Sequence, residues 1–251
     1  MKTKLRLKDN TILITGGGSG IGLELTKAFL KMGNTVIICG RSEKKLQLAK
    51  KHLPQVHIIQ CDISDQKQRE ALFHQVTNEH PGLNILINNA VIVSYLKIQD
   101  KNYSAALVDQ ELQTNFIGPV GLIKLFLDNL VRQKNSAIIN ITTGLVFAPH
   151  ADMPGYCASK AALHSYTQCL RLQLKDVPIK IIEVMMGPVD TQFHDGGHVP
   201  DIAITTDKAV AMMLKGVRKS KNEIKNGMGI KLLSLLSRIA PNFSLKLINK
   251  M

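Results

Sequence analysis

Tyr156 and Lys160, four residues apart in the stretch YCASK, are the side chains with the clearest catalytic potential in this chain. Residues at this spacing lie on one face of a helix. A lysine ammonium beside a phenol favours the phenolate. Such a tyrosine can exchange a proton near neutral pH, which its ordinary pKa of about 10 does not allow. Because the same spacing occurs by chance on many surface helices, the pair alone does not establish an active site.

A glycine-rich turn, TGGGSGIG at residues 15–22, is the second feature with chemical meaning. Glycines permit a tight turn and a close approach of backbone to a pyrophosphate, and a helix N-terminus adds N–H donors and a favourable dipole. Since the turn follows an apolar run and opens a helical pattern, it favours nucleotide binding over a purely structural turn. The predicted contacts are Gly16, Gly18, Ser19, Gly20, Ile21 and Gly22.

The next apolar run ends in Cys39-Gly40-Arg41-Ser42, without an acidic residue. An acid at this point would bind the ribose hydroxyls of NAD. A guanidinium beside a hydroxyl instead suits a 2′-phosphate, because arginine carries a permanent charge and several fixed donors. Arg41 and Ser42 therefore predict NADP (NADPH) rather than NAD as cofactor. The alternative is a solvated Arg41 that binds nothing.

Alternating strand and helix patterns must position these residues. The expected strands are residues 11–17, 34–40, 56–62, 83–90, 136–142 and 179–185. Helical periodicity connects them and includes one long helix over 105–133. Because parallel strands need crossover connections, the order predicts an α/β fold with a Rossmann-type doubly wound parallel sheet and helices on both faces. Ligands in such a sheet bind beyond the carboxyl ends of the strands.

In combination, the motifs resemble the short-chain dehydrogenase/reductase superfamily in its compact single-domain form. The resemblance covers about residues 10–191. It is carried by TGGGSGIG, CDIS at 61–64, NNA at 88–90, Asn115, YCASK at 156–160 and GPVDT at 187–191. The stretch FLKMGNTVIICGR and the basic C-terminus are most similar to bacterial oxidoreductases associated with teichoic-acid D-alanylation genes.

This resemblance implies a role for each matching residue. Tyr156 would be the general acid/base, Lys160 would lower its pKa and hold the nicotinamide ribose, and Asn115 would support a water-linked proton relay. The remaining cofactor contacts implied by the resemblance are Asp62, Ile63, Asn89, Ala90, Val189 and Thr191.

Thr143 stands where the family usually has a serine that hydrogen-bonds the substrate carbonyl, thirteen residues before the tyrosine. Threonine keeps a hydroxyl that can donate to a developing alkoxide, and adds a methyl that takes up room beside the substrate. Val91 replaces the usual glycine after NNA, and Met186 the usual proline before Gly187. The alternative for Thr142 and Thr143 is that they are merely β-branched residues ending a strand.

The predicted function is an NADP(H)-dependent carbonyl reductase or alcohol dehydrogenase. Hydride would pass between nicotinamide and a small-molecule ketone or secondary alcohol, while Tyr156 exchanges the proton. The competing interpretation, for which Val91, Thr143 and Met186 argue, is a weakly catalytic or non-catalytic NADP(H)-binding sensor or membrane-peripheral scaffold. The resemblance also implies a homodimer or tetramer. No metal site is expected, because no cysteine or acid stands at ligand spacing from a histidine.

Positive charge is concentrated near the C-terminus. The net charge is +13, and residues 208–251 contain ten Lys or Arg and one acid, Glu223. Such a section could meet an anionic membrane surface or an acidic partner, or it could simply be a solvated face. Nucleic-acid binding is not expected, because the section contains Phe243 as its single aromatic residue.

Residues 229–251 form a basic amphipathic extension of the domain that spans 1–228, and no further strand is expected in this section. On a helix the predicted apolar face is Leu232, Leu233, Leu235, Leu236 and Ile239. The predicted polar face is Lys231, Ser234, Ser237 and Arg238. Packing of the apolar face on the domain and docking at an anionic membrane are the two alternatives.

The four cysteines lie within apolar runs, which predicts reduced core thiols and a cytoplasmic protein, with a membrane-peripheral location as the alternative. They are Cys39, Cys61, Cys157 and Cys169. No apolar run has the length of a membrane span, and the start of the sequence has no signal-peptide core.

Overall fold

The computed structural model describes residues 4–191, 200–219 and 221–250. The strands are β1 (Thr11–Thr15), β2 (Thr35–Gly40), β3 (His57–Gln60), β4 (Leu83–Asn88), β5 (Ser136–Thr143), β6 (Ile179–Met186) and β7 (Glu223–Asn226). The helices are α1 (Gly20–Lys31), α2 (Glu43–His52), α3 (Gln66–Glu79), α4 (Ala105–Leu112), α5 (Gly118–Arg132), α6 (Pro154–Gln173), α7 (Thr206–Arg218), α8 (Met228–Ile239) and α9 (Pro241–Ile248). A π-helical turn, Gln113–Ile117, joins α4 to α5, and a 3-10 turn, Gly144–Val146, follows β5.

All seven strands form one parallel sheet in the order β3-β2-β1-β4-β5-β6-β7. Alternate residues of β1 face opposite sides of it, as the two-residue period of a strand requires. Ile14 packs in the same apolar layer as Phe29 of α1, and Leu13 in the same layer as Phe126 of α5. The predicted doubly wound α/β fold is therefore confirmed, with an apolar layer on each face of the sheet.

The chain order reverses at β1, which lies between β2 and β4. The connections that leave β1 and β4 therefore diverge to opposite faces, and a crevice opens beyond their carboxyl ends. Residues that directly follow β1, β4, β5 and β6 are brought to one edge of the sheet. This edge is where the sequence motifs lie.

The expected single helix over 105–133 is wrong, because the π-turn at 113–117 divides it. Within this turn the N–H of Gly118 donates to the carbonyl of Gln113, five residues back. Pro119 follows and has no N–H, so the carbonyl of Asn115 lacks the donor that an α-helix would supply. Wide turns of this kind are frequent at functional sites.

Two further expectations are corrected by the structure. A seventh strand, Glu223–Asn226, pairs parallel with β6, although only six strands were expected, the last at 179–185. It is short, and only Ile224 and Asn226 are buried, so its apolar signal in the sequence is weak. Cys169 is exposed on α6, whereas Cys39, Cys61 and Cys157 are buried as expected.

The C-terminal section forms two helices instead of one, because the chain breaks at Ala240 before Pro241. The apolar face predicted from the sequence is divided between the two sides of α8. Ile230, Leu233 and Ser234 of α8 are buried, while Leu232, Leu235 and Ile239 are exposed. Among the described residues, no helix is both long and apolar enough to cross a membrane.

Candidate active site

A cleft of about 1370 Å³ lies beyond the carboxyl edge of the sheet. Pockets for one small ligand are commonly about 300–1,000 Å³, so this one has room for a dinucleotide together with a second molecule. Almost every residue predicted from sequence lines it: Gly16, Gly18, Ser19, Gly20, Ile21, Gly22, Arg41, Ser42, Asp62, Ile63, Asn89, Ala90, Thr143, Tyr156, Lys160, Val189 and Thr191. Asn115, the remaining one, is fully buried.

The glycine turn is tied to the end of β4. The Thr15 hydroxyl accepts the backbone N–H groups of Asn89 and Ala90, each at 3.0 Å, and the Asn89 amide donates to the Thr15 carbonyl at 2.9 Å. Gly16 has a φ of 66°, in the left-handed region that favours glycine. A Cβ on Gly22 would overlap the carbonyl of Gly16 and the Asn89 amide. The sequence needs glycine at both positions for this turn to close.

Helix α1 presents its N-terminus to the same cleft. Its N-cap, Ser19, makes no capping hydrogen bond through its side chain, and the first turn contains no acidic residue. The first N–H groups of a helix lack intrahelical partners and favour an anion. Thr191, which follows β6, lies across from Gly20, so that a Cβ on Gly20 would be 3.5 Å from its side chain. These residues fit the pyrophosphate of a dinucleotide.

Two basic residues lie at the β2 end of the cleft. Arg41 is exposed there, and its carbonyl accepts a hydrogen bond from the Gln60 side chain at 3.0 Å. Ser42 caps α2 by accepting the N–H of Lys45 at 3.3 Å. Lys45 also lines the cleft, although the sequence analysis did not select it. Its position four residues after Arg41, in the first turn of α2, could have indicated a second cation at this site.

The segment after β3 is fixed by local hydrogen bonds. Asp62 accepts both the N–H and the hydroxyl of Ser64 on one carboxylate oxygen, at 2.9 and 2.7 Å. Buried Arg69 donates to the Ile63 carbonyl at 2.6 Å. Asp62 and Ile63 are therefore held in place beside the two basic residues, and they form the cleft wall on that side.

The structure separates the roles of the two threonines that end β5. Thr143 hydrogen-bonds through its side chain to Tyr156, whereas the Thr142 hydroxyl donates to Glu183 at 2.7 Å on the other side of the strand. Successive strand residues point to opposite faces, so only one of the two hydroxyls can lie beside Tyr156. Thr143 supplies that hydroxyl, and both it and Tyr156 line the cleft.

Lys160 lies one turn after Tyr156 and is almost completely buried. Its ammonium donates to the Ile141 carbonyl at 2.9 Å. Burial lowers the pKa of Lys160 to about 8, and the Glu183 carboxylate opposes that decrease. Burial also raises the pKa of the Tyr156 phenol, against the hydrogen bond from Thr143. In the protein alone, the pKa of Tyr156 is therefore raised by burial, and not lowered as the resemblance implied.

Glu183 is a fully buried carboxylate on β6 that the sequence analysis did not select. It accepts from Thr142, and Nδ1 of His164 lies 2.8 Å from it. The hydrogen bond to Glu183 raises the pKa of His164. A buried charge needs such partners to be tolerated. A single acid within the apolar run IKIIEVMM was the available signal.

The side-chain amide of Asn115 fixes the backbone of Ile92 in the cleft wall. Its amide nitrogen donates to the Ile92 carbonyl at 2.9 Å and to the Ser159 hydroxyl at 3.0 Å, and its oxygen accepts the Ile92 N–H at 2.9 Å. Both side-chain donors are therefore used. The Asn115 backbone carbonyl lacks its usual α-helical donor, because that position is Pro119.

The remaining departures from the family pattern also line the cleft. Val91 packs against the cluster of Met153, Tyr156 and Cys157. Met186 is buried, and its sulfur accepts from the Asn226 amide at 3.0 Å. Neither side chain disturbs the contact between Thr143 and Tyr156. Both narrow the space beside that pair.

A buried acid, Glu111 of α4, was also missed. It accepts the N–H of Ser94 at 2.6 Å and fixes the loop that follows β4. Burial raises the pKa of Glu111. A Cβ on Gly155 would collide with its carboxylate, so this glycine lets α6 approach α4 closely.

Comparisons with known proteins agree with this geometry. The family model described as short chain dehydrogenase matches residues 10–197. The uncharacterized oxidoreductase DltE of Bacillus subtilis is 42% identical over 226 residues, which cover 88% of this chain and 90% of that protein.

Two solved structures share the fold. A short chain dehydrogenase from Burkholderia cenocepacia in complex with NADP has a TM-score of 0.85 at 22% identity, covering 97% of this chain and 98% of that one. A short chain dehydrogenase/reductase from Burkholderia phymatum in complex with NAD has a TM-score of 0.84 at 17% identity, covering 94% and 95%. The matching family model and the similarity to DltE show that this chain is an oxidoreductase that belongs to the short chain dehydrogenase family.

Proposed function

We propose that the protein is an NADP(H)-dependent carbonyl reductase or alcohol dehydrogenase that acts on a ketone or secondary alcohol. The observation that carries this proposal is the hydrogen bond between Thr143 and Tyr156 at the cleft, with buried Lys160 one turn away. The glycine turn lines the same cleft, so a dinucleotide and a carbonyl compound can meet there.

In the reductive direction, the substrate carbonyl oxygen accepts hydrogen bonds from Thr143 and Tyr156. NADPH, when bound, supplies the hydride. As negative charge develops on the oxygen, the Tyr156 phenol delivers its proton, and the charge of Lys160 favours the phenolate that remains. The backbone carbonyl of Asn115 can hold a water that takes part in returning a proton to the site.

The choice of NADP over NAD rests on Arg41 and Lys45. Two cations at one end of the cleft suit the 2′-phosphate, while the α1 N-terminus suits the pyrophosphate. Solved structures of the fold contain either cofactor, so the preference depends on these two side chains.

The buried thiols of Cys39, Cys61 and Cys157 support a cytoplasmic location. The family resemblance supports a homodimer or tetramer.

A weakly catalytic sensor or scaffold is the second candidate. Val91 and Met186 favour it because both occupy space in the cleft where the family has smaller or more rigid residues. The contact between Thr143 and Tyr156 favours the enzyme. The substitution of Tyr156 decides between them.

Tyr156→Phe should lower kcat for ketone reduction by roughly a hundred- to ten-thousand-fold, because the variant lacks the proton donor. NADPH binding, measured by fluorescence titration, should remain nearly unchanged. Tyr166→Phe is the matched control, since Tyr166 lies on the same helix and does not line the cleft. Substantial turnover by Tyr156→Phe would contradict the mechanism.

Thr143→Val should lower kcat roughly a hundred- to a thousand-fold, because one hydrogen-bond donor to the developing alkoxide is lost while the shape is kept. Thr143→Ser keeps the hydroxyl and removes the methyl, so it should accept bulkier ketones. The measurement is kcat/KM over a panel of ketones. Equal activity of the valine variant and the wild type would exclude a role for this hydroxyl.

Arg41→Asp should raise the Kd for NADPH relative to that for NADH by roughly ten- to a hundredfold, because a charge-assisted phosphate contact is replaced by repulsion. Lys44→Asp makes a charge change of the same size on α2, at a residue that does not line the cleft. It should leave the ratio unchanged. If both variants shift the ratio equally, the effect is one of general charge and not of a phosphate site.

Glu183→Gln should move the alkaline limb of the pH profile of kcat/KM to lower pH. The carboxylate raises the pKa of Lys160, so its removal lowers that pKa further, and the site loses the ammonium at a lower pH. Charged groups nearby are His164, Arg171 and Glu223. Glu223→Gln is the control, because Glu223 pairs with Arg171 at the sheet edge. An alkaline limb that stays in place would show that Glu183 does not act through Lys160.

A further inference from the structure

Helix α8 turns its most apolar face away from the domain. Met228, Leu232, Leu235 and Ile239 follow one another at spacings of four and three, so they form one stripe along the helix. Their exposed fractions are 77%, 57%, 56% and 73%. Normally the apolar stripe of a surface helix packs on the core. Here this stripe is the outer surface.

Contacts on the inner side of α8 explain why its apolar stripe faces outward. Ser234 is buried on the inner side of α8, and its hydroxyl accepts from the Lys225 ammonium at 2.5 Å. Ile230, on the same side, packs where a Cβ on Gly144 would overlap it. These contacts fix the rotation of α8 about its axis, so the outward stripe is built into the packing of the helix.

The exposed apolar surface continues onto α9 through Phe243, Leu245 and Leu247. Among the residues that the structure describes, thirteen large hydrophobic side chains are exposed, and seven of them lie between Met228 and Leu247. Single exposed hydrophobic residues are normal, whereas a contiguous group marks a surface that meets a partner.

Basic residues border this surface. Lys231 and Arg238 are exposed on α8 beside the stripe, and Lys246 and Lys250 are exposed at α9. No acidic residue follows Glu223 in the sequence. An apolar stripe with basic neighbours, on helices too short to span a bilayer, is the pattern of helices that lie in the interface of an anionic membrane.

The same helices form a wall of the cleft. Met228, Leu232 and Leu247 line the cleft and belong to the exposed apolar surface. Deeper in the cleft, Ile230 lines the wall and packs against Gly144, the residue after Thr143. An apolar path therefore runs from the exposed surface of α8 to the catalytic threonine.

We propose that α8 and α9 dock on an anionic lipid bilayer and admit from it a lipid-soluble carbonyl compound with a long alkyl chain. Hydride from NADPH adds to the carbonyl carbon, a proton adds to the oxygen, and the products are a secondary alcohol and NADP⁺. The chemistry rests on the function proposed above, while the docking does not.

Docking is tested by sedimentation of the full chain with vesicles of phosphatidylglycerol and phosphatidylcholine. The double variant Leu235→Gln/Ile239→Gln removes two stripe residues that do not line the cleft, and glutamine retains helix propensity. The matched control is Leu48→Gln/Leu172→Gln, whose side chains are exposed by 56% and 72% on other helices. A thermal melt confirms that both fold.

The wild type and the control should bind these vesicles, and the stripe variant should bind roughly tenfold more weakly or worse. Vesicles of phosphatidylcholine alone, or high salt, should reduce binding by the wild type. Equal binding by both double variants, or no binding by the wild type, overturns the docking. A dimer that the stripe variant alone dissociates, without vesicle binding, identifies the face as an interface between two copies and also overturns it.

The substrate class is tested with methyl ketones of increasing chain length. We expect kcat/KM to rise by roughly two- to fourfold per methylene. The stripe variant should keep its activity on a short ketone in solution and lose activity on a long ketone supplied in vesicles. Turnover that does not depend on chain length overturns the substrate class and leaves the oxidoreductase proposal intact. Vesicle binding without turnover of any ketone overturns the proposed function and leaves the docking intact.

Discussion

The hydrogen bonds between Thr15 and the segment after β4 are the constraint on which the rest of the site depends. One hydroxyl accepts two backbone N–H groups, and the Asn89 amide returns a hydrogen bond to the Thr15 carbonyl. They hold together the ends of two strands at the point where the chain order reverses. The base of the crevice that opens there is therefore held in place. The glycine turn, Tyr156 and Lys160 all line this crevice.

A second constraint is the charge inside the sheet. Lys160 is buried, and its charged form is costly without an anion nearby. Glu183 supplies that anion from β6, and its own burial is made tolerable by Thr142 and His164. Lys160 and Thr142, together with Glu183 on β6 and His164 on α6, therefore form one electrostatic unit. This unit gives Thr142 a role distinct from that of Thr143, because its hydroxyl binds Glu183 and not Tyr156.

Much of this arrangement could be predicted from the sequence, because strand ends, glycine turns and the spacing of Tyr156 and Lys160 are local signals. The parallel sheet, the glycine turn and the pair of Tyr156 and Lys160 followed from them, while residues such as Asp62 and Thr191 were implied by the family resemblance. The π-turn at 113–117 could not be read in the same way, since helical periodicity continues on both sides of it and only Pro119 indicates a break. Glu183 was missed because its role depends on partners that are distant in the sequence, Thr142 and His164. Lys45 was missed because its place in the cleft is formed only by folding.

The orientation of α8 shows where local patterns stop being informative. Amphipathicity states that a helix has an apolar face, but it does not state which way that face points. Here buried serine contacts and the packing of Ile230 against Gly144 set the rotation, and they involve residues from β7 and from the turn after β5. Because Gly144 directly follows Thr143, the contact that turns the stripe outward is also a contact of the cleft wall. A change in how α8 seats on the domain must therefore alter both the outer surface and the space available to the substrate.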